Sequence, residues 1–133
     1  MHNIIAAYSI SIKYLIQNPE DQNRAQKAYE IALEYASQAH IDPNLKIYLQ
    51  EAVALFDKKS GLTYKEAQTK PVGFLKHAFI LSYYSLLKSA DVPEDELYDF
   101  AMRQIVGLGG DTDTNAAIAG GMIGAYVGVS KLP

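Results

Sequence analysis

The 133-residue chain contains neither cysteine nor tryptophan. Without cysteine there is no disulfide framework, no zinc–thiolate site and no thiol nucleophile. That fits a reducing compartment, and the cytoplasm is the expected location. No apolar run reaches the ~18–20 residues of a membrane span. The longest candidate, residues 105–129, is interrupted by Asp111 and Asp113. The opening Met1-His2-Asn3-Ile4-Ile5 lacks the basic segment that starts a secretory signal. Basic charge is scattered too. Lys58-Lys59 is its densest spot and the net charge is −3, whereas phosphate backbones require clustered Lys and Arg. Neither a membrane nor a nucleic acid is expected as a partner.

What is present is the composition of a globular protein, 49% apolar and 20% charged. The length suits one domain with one modest core. Residues 1–133 read as a single helical domain or part of one. An apolar periodicity is already running at Ile4, Ile5 and Tyr8, and the chain stops at Leu132-Pro133 without a tail. A complete domain can begin and end in this way, and so can a piece of a larger one.

No alternation of period two persists long enough for a strand, so the expected fold is all-α: a compact orthogonal bundle of about six helices. The first covers roughly 3–17, with Ile4, Ile5, Tyr8, Ile12, Leu15 and Ile16 on one face, and ends at Asn18-Pro19. Pro19-Glu20-Asp21 suits the acidic first turn of a second helix over about 20–39. Asp42 is placed to cap a third helix, with Pro43 at its first position. Its stripe is Leu45, Tyr48, Leu49, Ala52, Val53 and Phe56, and Lys58 to Gly61 end it. Residues 62–72 are ambiguous, with a short helix over Thr63 to Lys70 as one option. A fourth helix, about 73–89, is apolar on much of its circumference and is expected at the centre. A fifth opens at 91–96 and runs through Val106. A sixth covers about 113–129.

Chemistry concentrates in Gly109-Gly110-Asp111-Thr112-Asp113-Thr114, which leads straight into the sixth helix. A glycine turn there delivers two carboxylates and a hydroxyl to a helix start. Such hard oxygen donors suit a Mg²⁺-type cation, although three of them do not complete an octahedral shell. Four readings compete. An EF-hand-like loop fails, because the glycine needed at its sixth position is Ala116 and the glutamate at its twelfth is Met122. A P-loop lacks the Gly-Lys-Ser/Thr ending, and its carboxylates would repel phosphate. Plain helix capping by Asp and Thr is the simplest. A metal half-site is the fourth. Gly120, Gly124 and Gly128, at spacing four, suggest that another backbone packs against one face of the helix. That packing would hold the acidic turn rigid, and it would equally suit a contact without chemistry.

The run Gly-Gly-Asp-Thr-Asp-Thr-Asn-Ala-Ala-Ile-Ala-Gly at 109–120, followed by Gly124-Ala125, Gly128 and Leu132-Pro133, resembles the C-terminal signature of the ADP-ribosylglycohydrolases. These include the dinitrogenase-reductase-activating glycohydrolases and the ADP-ribosyl-acceptor hydrolases. A weaker pattern upstream is also similar: Gly-Phe-Leu-Lys-His-Ala-Phe at 73–79, the acidic helix start at 93–96, then Phe100 to Val106. The resemblance implies an all-α fold holding two Mg²⁺ ions, Mn²⁺ in some members, in a central cleft. It implies ADP-ribose or an ADP-ribosylated substrate as ligand, with hydrolysis at the anomeric carbon. It also implies that Asp111, Asp113 and Thr114 are metal ligands. His2 matches a family histidine that lines the ADP-ribose cleft, although a surface histidine is the plainer reading. His40 carries no motif, and His77, on an apolar helix, reads as a packed core residue.

The family's other half-site is a Gly-Asp-x-x-Gly segment and a Thr/Ser-Asp-Asp triplet, and neither occurs here. None of the 15 acidic residues belongs to such a triplet. The resemblance therefore implies the C-terminal part of a split or truncated hydrolase, inefficient alone and completed by an N-terminal segment or by a homo-oligomer. The alternative is a degenerate, non-catalytic helical module that binds or assembles through the glycine face. A third option is a metal-free helical protein in which Asp111 and Asp113 only cap a helix.

Overall fold

The computed structural model describes residues 2–57, 75–108 and 112–128, without the side chains of His2, Asp57, Leu108, Thr112 and Asp113. Six α-helices and no strand occur among them: α1 (His2–Gln17), α2 (Arg24–Ala36), α3 (Pro43–Asp57), α4 (Leu75–Leu87), α5 (Glu94–Leu108) and α6 (Thr112–Val127). A single 3₁₀ turn, Lys88–Ala90, follows α4. The all-α expectation holds. No helix of the described residues is long and apolar enough to cross a membrane. The expected stop at Lys58 to Gly61, and the ambiguous 62–72, lie outside the described residues.

The centre is α4, whose residues from His77 through Leu87 are all buried. Helix α3 packs on one side of it and α6 on another, while α1 and α2 close the remaining flank. Phe79, Tyr83 and Tyr29 form an aromatic seam across α4 and α2, with ring centroids 4.9 and 6.1 Å apart. Tyr83 is fully buried, so its hydroxyl must find partners within the protein. With Ser11 donating elsewhere, it donates to Ser11 Oγ at 2.6 Å, and the Ala7 carbonyl at 3.2 Å is its longer alternative acceptor. Ser11 in turn donates to the Ala28 carbonyl. One polar chain thereby ties α1, α2 and α4 together in the core.

Several boundaries follow the sequence and several do not. Asp42 caps α3 as expected, its Oδ1 accepting the Asn44 N–H at 3.0 Å. Glu94, Asp95 and Glu96 form the acidic first turn of α5. Helix α2, however, begins at Arg24 instead of about residue 20. Asp21 closes a separate turn, its carboxylate accepting the Asn23 N–H at 2.9 Å and the Tyr14 hydroxyl at 2.6 Å. The same helix stops at Ala36, short of 39, because the Ser37 hydroxyl and N–H both engage the Leu33 carbonyl. Helix α6 ends at Val127, where Gly128 takes φ +81°.

Candidate metal centre

Helix α6 opens at Thr112, inside the Asp-Thr-Asp-Thr stretch. Asp113 and Thr114 lie in its first helical turn, where carboxylates are favoured by the unpaired N–H groups and the helix dipole. Asp111 falls outside the described residues. Thr114 is half-buried and Asn115 is buried, so the donor turn grades directly into the core. The donors are hard oxygens on adjacent residues, a set that fits Mg²⁺ or Mn²⁺ and offers nothing to a soft metal. No group of three His, Asp or Glu capable of holding a metal occurs among the described residues.

Three helices grip α6 behind this turn. Ala119, Met122, Ile123, Tyr126 and Val127 are buried, and α4 lies against the helix. The Gly120 face meets Tyr98 and Met102 of α5, at distances where a Cβ would make ordinary contact. From α1, the Tyr8 hydroxyl donates to the Ile118 carbonyl at 2.7 Å.

The expected close backbone contact along Gly120, Gly124 and Gly128 does not appear. A Cβ at Gly124 or Gly128 would meet no atom of the described residues within 4 Å. The crowded glycine is Gly121, where a Cβ would stand 2.5 Å from the Tyr8 hydroxyl. A side chain, not a backbone, occupies that space.

The far end of α6 is fixed by a buried cation that sequence inspection did not single out. Arg24 Nε donates to the Tyr126 carbonyl at 3.1 Å, and its guanidinium sits 4.2 Å from the centre of the Tyr126 ring. Its Nη1 donates to the Asp21 carbonyl, and Nη2 reaches Glu94 Oε1 at 3.0 Å. Tyr126 lies in the last turn, whose carbonyls lack helical partners, and positive charge is favourable there. The available signal was an arginine heading the small-residue face Ala25, Ala28, Ala32 of α2.

These two anchors also fix direction. Arg24 follows the compact turn after α1 and meets the end of α6, whereas Tyr8, earlier in α1, meets its first half. Helices α1 and α6 therefore run side by side in the same sense. Their N-termini, with His2 on one and Thr112–Thr114 on the other, share one end of the bundle. Of the remaining histidines, His77 is buried on α4 as expected and His40 is exposed before α3.

No curated protein and no solved structure matches the chain significantly. The family model for ADP-ribosylglycohydrolases matches residues 3–133. The match begins far upstream of the 73–128 region whose motifs carry the likeness to the eye, so α1 to α3 share in it. With its helical bundle and its Asp-Thr-Asp-Thr helix start, the chain belongs to the ADP-ribosylglycohydrolase family.

Proposed function

We propose that this chain is the metal-holding C-terminal portion of an ADP-ribosylglycohydrolase, with Asp111, Asp113 and Thr114 binding one side of a Mg²⁺ site. The observation that carries the reading is the placement of Asp113 and Thr114 at the start of α6, a helix held by α1, α4 and α5. Donors carried on so constrained a helix start from a backbone that is already fixed. In the complete site, Mg²⁺ or Mn²⁺ would hold the ribose hydroxyls of an ADP-ribosylated substrate and supply an activated water. The contribution of this chain is to fix its oxygens, and to present α1 with His2 at the same end of the bundle. The reading keeps the protein in the cytoplasm, in agreement with its lack of cysteine.

Metal affinity falls steeply with the number and charge of the ligands. The sequence contains no Thr/Ser-Asp-Asp triplet, so the isolated chain holds the ion weakly and hydrolyses poorly. A complementing N-terminal segment or a second copy supplies the rest. The test is an ADP-ribose release assay on an ADP-ribosylated substrate with the isolated chain and millimolar Mg²⁺. Release no faster than the metal-free control is expected. Efficient Mg²⁺-dependent release would refute the half-site reading.

A second reading, a non-catalytic assembly module, is favoured by the outer face of α1. Ile5 and Ile16 are 51% and 63% exposed there, on a stripe with half-buried Ile12. Under this reading Ile16→Glu abolishes self-association in sedimentation while leaving a Mn²⁺ titration unchanged. Sedimentation as a monomer at every concentration excludes it for the chain alone.

A further inference from the structure

The half-site reading depends on how accurately the first turn of α6 is held, and α1 adds one directional contact to the packing of α4 and α5. We propose that Tyr8 is a positioning residue for the donor turn, acting through a hydroxyl latch over Gly121. The inference rests on the half-site reading of Asp113 and Thr114.

Thr114, Ile118 and Gly121 fall at i, i+4 and i+7 and so share one face of α6. Helix α1 meets this same face. The Tyr8 hydroxyl bonds the Ile118 carbonyl at 2.7 Å, one turn beyond Thr114. Any rotation of α6 at Ile118 is thus carried to Thr114 through a single helical turn. Apolar packing alone does not hold the helices here. A partly open apolar pocket of about 180 Å³, lined by Ile4, Ile5, Tyr8, Leu75, Phe79 and Ile118, adjoins the contact. The hydroxyl supplies a directional constraint where the packing is slack. Burial raises the Tyr8 pKa above its ordinary value, so the group remains a protonated donor across the neutral range.

Gly121 is what makes room for this donor. A Cβ there would lie 2.5 Å from the hydroxyl oxygen but 3.9 Å from Cζ. Alanine therefore collides with the oxygen and not with the ring. A glycine inside a helix lowers its propensity, and here the cost gains the space in which the hydroxyl reaches a carbonyl.

That geometry dictates a four-protein cycle: the unmodified chain, Tyr8→Phe, Gly121→Ala, and the double variant. Each is titrated with Mn²⁺ alone, followed by the electron paramagnetic resonance of the free ion, and melted without metal. Removing a group bonded directly to a metal ligand costs roughly 10–100-fold in affinity, and a contact one helical turn away, as here, is expected at or below the lower end of that range. Gly121→Ala is expected to weaken Mn²⁺ binding about 10-fold, and Tyr8→Phe about 3-fold, at little change in melting temperature. The double variant is expected to return to the affinity of Tyr8→Phe, because the ring clears the new methyl. Should Gly121→Ala not fold, Tyr8→Phe decides alone, and an unchanged affinity refutes the latch. Four equal affinities, or shifts in melting temperature alone, overturn the positioning role and leave the half-site reading standing. Absence of Mn²⁺ binding by the unmodified chain at millimolar levels overturns both.

Discussion

The two ends of α6 solve opposite problems. At the C-terminal end the protein satisfies its own polar groups: Arg24 covers the Tyr126 carbonyl, stacks on the Tyr126 ring and reaches Glu94. At the N-terminal end Asp113 and Thr114 stand in the first turn of the helix, the turn proposed to hold a cation. The first arrangement serves stability and the second suits a ligand from outside. One helix can carry both because α4 and α5 pack along its length. Damage at one end is therefore separable from damage at the other, and substitutions can break or sharpen that contrast.

The largest effect on stability is expected from Arg24→Met. It removes charged hydrogen bonds to two carbonyls and leaves a last-turn carbonyl of α6 buried without its donor. The pair with Glu94 adds little, since that carboxylate is 40% exposed. A loss of about 2–4 kcal/mol is expected in urea unfolding. Mn²⁺ affinity of the folded fraction should not change, since the substitution lies at the opposite end of α6. Tyr83→Phe comes next. Its hydroxyl joins Ser11 and the Ala7 carbonyl in the core, so about 1–2 kcal/mol is expected in the same measurement.

The smallest effect belongs to Asp21, whose carboxyl is held at about 2 by hydrogen bonds from Tyr14 and Lys27 and from the Asn23 N–H. The unfolded group titrates near 4. A lowered folded value means that its contribution is complete above about pH 4 and is lost as the pH falls toward about 2. Asp21→Asn should flatten that part of the acid unfolding profile and lower stability by a constant, pH-independent amount above about pH 5.

Local chemistry was legible in the sequence. The cap at Asp42, the acidic start of α5 and the central place of α4 followed from neighbouring residue types. The start of α2 was misread because Pro19-Glu20-Asp21 fits a helical first turn as well as it fits the Asp21 turn that forms. The reason for glycine in α6 was misread more deeply. Spacing of four drew attention to Gly120, Gly124 and Gly128, yet the glycine with no room for a methyl is Gly121. Its partner Tyr8 bonds a carbonyl 110 residues away, and no local pattern encodes such a pairing. Arg24 escaped notice for the same reason, since its acceptor at Tyr126 lies 102 residues away. The Asp-Thr-Asp-Thr motif was readable because family likeness singles it out. Its residue types alone do not separate a metal ligand from a helix cap.

That last ambiguity bears directly on function. A Mn²⁺ titration of the unmodified chain beside the Asp111→Asn, Asp113→Asn double variant resolves it, with both proteins checked for equal helicity and melting temperature. The account predicts saturable binding in the millimolar range by the unmodified chain, weakened at least about 10-fold in the variant. Equal binding by the two proteins, or none by the unmodified chain, would contradict the assignment of this turn as a metal half-site.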